Sequence, residues 1–216
     1  MPAKRQATHR MRKNPSQARA RDTVEVIFEA TARILERAGR RGLSTNAIAE
    51  LAGISIGTLY HYFPSKEAVL VAMARRELEA HGVAVRQAMS QTSAATALEP
   101  ERQVVRALLQ AFDNRLNARR AAIETLIAQD LSAEIAGPVQ AAAELMAAQS
   151  LPQLSVPTRP LSDAALFVLT RAVSGVINAA VREGSPLFGT QELEDELVHL
   201  VRGFVGIGIP PVHKEN

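Results

Sequence analysis

Residues 53–67, GISIGTLYHYFPSKE, gather the groups best suited to chemistry: the hydroxyls of Ser55 and Thr58, the phenols of Tyr60 and Tyr62, the His61 imidazole and the Lys66 ammonium. Both tyrosines of the chain lie in this stretch, in a protein with no tryptophan and six phenylalanines. Two chemistries fit. Gly53-x-Ser55-x-Gly57 spells the pattern found around the nucleophile of many serine hydrolases, where the serine sits on a strained turn between a strand and a helix. The same residues also offer small groups, flat rings with polar tips and a glycine that lets a backbone come close, which suits contact with phosphates and base edges.

The elements around the stretch separate the two. The residues before Gly53, TNAIAELA, have helical period, and no sheet exists to carry a nucleophile turn. Five histidines (His9, His61, His81, His199 and His213) are available as a base, but none stands in a recognisable motif with an acidic partner. A motif without its structural context carries little, so Ser55 reads as a helix N-cap, no catalytic residue is assigned, and the chain is not expected to be an enzyme. A short helix ending at a glycine, a turn, and a second short helix is instead a helix-turn-helix, whose second helix presents its first residues outward. Gly53 suits the turn because it tolerates a left-handed backbone. Ile48, Leu51, Ile54 and Leu59 then pack inward, leaving Ser55, Ile56, Gly57, Thr58, Tyr60, His61 and Tyr62 facing out.

The flanking elements are helical too. Val24, Ile27, Phe28, Thr31, Ile34, Leu35 and Ala38 follow the 3–4 spacing of one helical face, with Asp22 as N-cap. Ser44 or Thr45 caps the next helix, Pro64 stops the third, and Ser65 caps a longer fourth. Alanine- and leucine-rich helices follow, then a proline-rich loop (SLPQLSVPTRP), then two helices at about 161–183 and 190–205. The expected fold is all-α: an N-terminal three-helix helix-turn-helix domain, then a larger helical domain. The boundaries read as a basic flexible arm over 1–21, the helix-turn-helix over 22–68 and the helical body over 69–216.

The segment LSTNAIAELAGISIGTLYHYFPSKEAVL resembles the signature of TetR-family transcriptional regulators: a threonine before an Ile-Ala pair, Ala-Gly, Ser-x-Gly-Thr-Leu-Tyr, then Phe-x-Ser-Lys-Glu. The resemblance covers roughly residues 22–74. It implies that Thr45 donates to a phosphate, that Ser55, Gly57 and Thr58 sit at the mouth of the major groove, and that Tyr60, His61 and Tyr62 contact phosphates or bases. Lys66, at the next helix start, would hold a backbone phosphate, and Ile56 occupies an exposed, variable position of the motif. The resemblance also implies a ligand-binding and dimerising body, hence a homodimer on a palindromic operator in double-stranded DNA.

Charge supports a polyanion partner. Net charge is +3 overall, but residues 1–76 carry 14 Lys+Arg against 6 Asp+Glu, a net of +8, and residues 77–216 carry 11 against 16, a net of −5. Lys4, Arg5, Arg10, Arg12, Lys13, Arg19 and Arg21 form the basic arm. With no cysteine, a disulfide framework and thiolate metal sites are excluded. The N-terminal basic stretch lacks an apolar h-region, and no run of about 18 apolar residues is seen, so the chain is expected to be cytoplasmic, without a membrane partner.

In the second part, SDAALFVLTRAVSGVINAAVREG is apolar nearly all round, which means burial on several sides. Its small residues Ala172, Gly175 and Ala179 would let a partner helix approach, and with TQELEDELVHLVRGFV it forms a candidate dimer seam. Thr170 and Ser174 can bond back to the preceding turn, whereas Asn178 needs a partner. The expected effector pocket is lined by Met89, Leu108, Phe112, Leu126, Met146, Phe167 and Asn178. The body has no tyrosine or tryptophan to cage a cation, so the small-molecule effector reads as apolar. No cofactor is called for, and Asp195 and His199, four residues apart, are too few ligands for a metal. The resulting function is a sequence-specific regulator, most simply a repressor released by its ligand. The alternative is a helical scaffold for a protein partner that holds nucleic acid only nonspecifically, and competitor DNA separates the two.

Overall fold

A computed structural model describes residues 15–90, 100–110, 115–148 and 161–205, and among these residues the regular structure is all helical. The head is built first. Helix α1 (Pro15–Ala38), a single 3-10 turn at Arg40–Gly42, α2 (Thr45–Ala52) and α3 (Ile56–Tyr62) precede the long α4 (Lys66–Ser90). Helix α1 starts at Pro15, seven residues before the expected cap at Asp22. Proline is well suited to a first helical turn, where its missing N–H would have no partner. Arg19 and Arg21 of the basic arm therefore ride on α1, while Lys4, Arg5, Arg10, Arg12 and Lys13 lie outside the described residues.

The head core is aliphatic with one aromatic contact. Ile27, Leu35, Ile48, Leu59 and Val69 are fully buried together, and the rings of Phe28 and Phe63 meet at 5.8 Å. Fully burying a side chain of this size stabilises by about 1.5–3 kcal/mol each, so five of them suffice to lock short helices that would not form alone.

The body follows in α5 (Pro100–Leu109), α6 (Leu116–Ala128), the one-turn α7 (Ser132–Ile135), α8 (Gly137–Ala148), α9 (Asp163–Glu183) and α10 (Gln191–Val205). Its main core joins Val85 of α4 and Val105 and Leu108 of α5 to Leu169, Val173 and Ile177 of α9 and Leu197, Val198 and Val201 of α10. Helix α9 is long and apolar enough to cross a membrane by length and composition, with a mean hydropathy of 1.7, a property the sequence reading had not credited. Here one face of it lies in the core. Thr170 and Ser174 return their hydroxyls to the carbonyls of Phe167 and Thr170, as their spacing predicts.

Helix α4 belongs to both cores, and α6 joins the head core to a third, small cluster. Helix α4 contributes Val69 and Leu70 to the head and Val85 to the body, and its 25 residues span about 37 Å at 1.5 Å per residue. Helix α6 gives Ala118 and Ala121 to the head core and Leu126 to a small cluster with Ala74 and Ala122. Polar contacts tie α1 along α6 in the same sense. Arg115 donates to both oxygens of Glu29 at 2.8 and 3.3 Å, the Ala118 N–H donates to Glu36 at 2.9 Å, and Arg40 donates to the Thr125 hydroxyl at 2.8 Å and the Ala121 carbonyl at 3.2 Å. Head and body are thus coupled along two helices.

Candidate nucleic-acid interface

Local chemistry fixes the turn. The Ser44 hydroxyl caps α2 by accepting from the Ala47 N–H, which resolves the choice between Ser44 and Thr45. Gly53 closes α2 with φ 69°, and its N–H and that of Ile54 return to the carbonyls of Glu50 and Ala49 at 3.1 and 3.0 Å. That left-handed position is one where glycine has no steric penalty. Ser55 then caps α3, accepting from the Thr58 N–H at 3.0 Å. The serine of the Gly-x-Ser-x-Gly pattern is therefore a helix cap, and no strand precedes it among the described residues. Leu59, fully buried against Ile48, holds α3 on the head, and Ile54 packs partly into the same core. Leu51, expected inward, is instead 42% exposed in the last turn of α2.

The outward side of α2 and α3 carries paired hydroxyls. Thr45 Oγ1 and the Tyr60 hydroxyl lie 3.2 Å apart across the two helices, and the Ser55 and Thr58 hydroxyls lie 2.8 Å apart. Tyr60 is 52% exposed, so its ring stands out from the head with its tip fixed by Thr45. His61 is exposed and meets the Tyr62 ring edge-on at 5.3 Å. Tyr62, expected to face outward, is half-buried against the head core. Lys66 Nζ donates to the Leu43 carbonyl at 3.2 Å, which anchors its ammonium beside the N-terminus of α2 with two N–H bonds left for another acceptor. Ile56 and Gly57 are exposed at the start of α3. Asn46, exposed in the first turn of α2, adds an amide that the sequence reading did not single out; its position beside Thr45 was the available signal.

The expected effector residues are not drawn into one pocket. The side chains of Met89 and Met146, and the whole of Phe112, lie outside the described residues. Leu108 is buried in the main body core and Leu126 in the separate small cluster. Phe167 is 62% exposed on α9, with the Arg171 guanidinium 5.4 Å from its ring centre. Asn178 is half-buried, and no partner for its amide is found among the described residues. Of the dimer-seam residues, Gly175 is exposed and Ala172 and Ala179 are half-buried on α9. Asp195 pairs with Arg102, and His199 Nδ1 lies 3.9 Å from Glu196, so those two side chains serve different partners.

Charge inside the body is confined to a few sites. Arg119, 5% exposed, donates to the Leu109 and Leu108 carbonyls at the end of α5 at 2.9 and 3.2 Å, and burial pushes its pKa down to about 10. Carbonyls at a helix C-terminus suit a cation. His81 Nε2 lies 3.0 Å from the Ala107 carbonyl, and burial, then the nearby Arg119 charge, push its pKa down to about 4. An open groove of about 250 Å³ runs between α4 and α8, floored by Leu78, Gly82, Pro138 and Ala141 and edged by Arg75 and Glu134, which pair at 2.7 Å.

With this geometry in view, comparison with known proteins is specific for the head. Residues 27–73 match the family described as bacterial regulatory proteins, tetR family. The HTH-type transcriptional repressor KstR of Mycolicibacterium smegmatis is 43% identical over 53 residues, 24% of this chain and 26% of that protein, so the match spans about a quarter of the relative. Two solved structures share the fold over most of the chain. A putative TetR-family transcriptional regulator from Mesorhizobium loti has a TM-score of 0.61 at 19% identity, covering 88% of this chain and 99% of that one. A TetR family transcription regulator from Marinobacter aquaeolei has a TM-score of 0.57 at 21% identity, covering 87% and 97%. The head is a TetR-family helix-turn-helix, and the chain has the all-α fold of those regulators.

Proposed function

We propose that this chain, with its TetR-family head, is a homodimeric, sequence-specific DNA-binding regulator that acts in the cytoplasm as a repressor and is released from its operator by a small apolar ligand. The observation that carries the proposal is the outward face of α2 and α3, where Tyr60 is exposed and tied at its tip to Thr45. At 52% exposure the Tyr60 ring gives the head little apolar burial, and its internal contact is the hydroxyl bond to Thr45. Against DNA, the pair offers one free hydroxyl donor held in place by the other, which lowers the ordering cost of binding a phosphate. Lys66 supplies positive charge at the base of α2, Ser55 and Thr58 stand at the start of α3, and Gly57 leaves room for a sugar-phosphate strand. His61 can donate to a phosphate or a base edge.

Repression is supported by the likeness of the head to KstR, an HTH-type transcriptional repressor. Release by a ligand is supported by the run of α4 from the head core into the body core and by the contacts of α6 with α1. Paired heads must meet half-sites about 34–36 Å apart or a multiple of that. A ligand that favours another setting of α4 and α6 weakens DNA binding by its differential affinity for the two settings. The body core described above is aliphatic, which favours an apolar ligand.

Fluorescence anisotropy with a duplex selected from a random-sequence pool, in a large excess of unrelated DNA, tests the proposal. Wild-type protein should prefer the selected duplex about a thousandfold or more. Tyr60→Ala should lose that preference with its circular dichroism unchanged. Failure of any duplex to survive the competitor would instead leave a nonspecific nucleic-acid anchor.

A further inference from the structure

Helix α3 has an unusual set of side chains for reading bases. Ile56, Gly57, Thr58, Leu59, Tyr60, His61 and Tyr62 include no arginine, lysine, asparagine or glutamine. Those are the residues that pair bidentately with guanine or adenine edges in the major groove. Of the polar groups that remain, the Ser55 and Thr58 hydroxyls are tied to each other and Tyr60 is tied to Thr45, which leaves His61 and the half-buried Tyr62. Hydrogen-bond readout from this helix is therefore sparse.

One group on its leading edge is left over. Ile56 is 39% exposed, while the two nearest aliphatic residues, Ile54 and Leu59, are drawn into the head core. Beside it, Gly57 has no positive φ, and an added Cβ would meet nothing nearer than Ser55 Oγ at 3.8 Å. Neither packing nor backbone conformation inside the protein requires glycine there. An exposed aliphatic side chain next to an unfilled clearing, continuous with a hydroxyl-lined face for phosphates, calls for an apolar partner within a polar groove. Base edges in the major groove offer such a group, the C5-methyl of thymine.

We propose that Ile56 is a specificity-determining residue that reads one thymine in each half-site through its methyl group, with Gly57 leaving the space for that approach. The inference rests on the regulator function proposed above and names part of what the operator must contain. Half-sites bound by this protein carry a thymine at the position facing Ile56.

Deoxyuridine lacks only the methyl and keeps the pairing of thymine, so it isolates this contact. In a duplex selected from a random-sequence pool by the full chain, each thymine of a half-site is replaced in turn by deoxyuridine. Wild-type protein should lose affinity about fourfold per half-site at one position, the worth of one buried methyl. Ile56→Ala should lose a similar factor on the thymine duplex and become indifferent to deoxyuridine at that position alone, a non-additivity that marks direct contact. Competitor-resistant binding that ignores every deoxyuridine, or Ile56→Ala that keeps the wild-type sensitivity, overturns the inference and leaves the regulator standing. Absence of any sequence-selective duplex overturns both.

Discussion

At His81 the fold keeps an imidazole neutral. The ring is largely buried, its Nε2–H points at the Ala107 carbonyl 3.0 Å away, and the Arg119 cation stands near enough to oppose a second charge. The folded pKa of about 4 lies below the unfolded value of about 6.5. A depressed histidine means that the unfolded chain binds the extra proton more readily. Its contribution is therefore complete above about pH 6.5 and is lost as pH falls towards 4. Between pH 6.5 and 5 the loss should reach about 2 kcal/mol, at about 1.4 kcal/mol per pH unit. The carboxylates held low by arginines, Glu29, Glu134 and Glu194, lose their contributions only at more acid pH. Urea unfolding across that window should show the slope in the wild type and a flatter profile in His81→Gln. Equal slopes would mean that the imidazole is not the group being titrated.

Among the elements, two glycines four residues apart make opposite demands on the helix-turn-helix. Gly53 stands at φ 69° with open space where a Cβ would go, so Gly53→Ala meets conformational cost alone, roughly 1 kcal/mol of stability. Gly57 lies in the helix with an ordinary φ and similar space, so Gly57→Ala should add roughly 0.5 kcal/mol. If the clearing serves DNA, the second variant gains stability while losing operator affinity. Denaturation midpoints and anisotropy on the same samples check both signs, and a Gly57→Ala protein with undiminished affinity would remove the glycine from the interface. The same elements show what sequence can carry. The caps at Ser55 and Ser65, a cap at Ser44 or Thr45, the turn glycine and the inward Ile48 and Leu59 were legible because capping and helical period are local. Leu51 and Tyr62 were misplaced because period gives a direction but not whether an element lies there. The end of α6 was invisible: Asp130 takes φ 57° where a glycine would have announced the stop. Packing in the body is harder to read. Alanine-rich α6 marks no single face, and contacts such as Arg106 with Glu194 at 2.7 Å join residues far apart in the chain.

At the scale of the whole molecule, the protomer leaves one helix half finished. Helix α9 buries Leu169, Val173 and Ile177 in the body core and exposes Val168, Gly175 and Val176 on its other side. Nothing lies within 4 Å of a Cβ added at Gly175, so the protomer has no packing reason for glycine there. A second copy packed on this face would supply one, since a small residue lets two helices approach closely. Dimerisation through this face would set the two basic heads at a fixed separation and make the second DNA contact intramolecular, which multiplies affinity by about 10²–10⁴ without any new contact on DNA. Gly175→Arg places a long charged side chain on that surface while the protomer has room for it. The variant should keep its helical circular dichroism and sediment as a monomer. On a full palindrome its affinity should fall about a hundredfold or more, while on an isolated half-site it should match the wild type. A dimer that persists in Gly175→Arg would move the seam elsewhere on the body, and with it the axis that fixes the spacing of the heads.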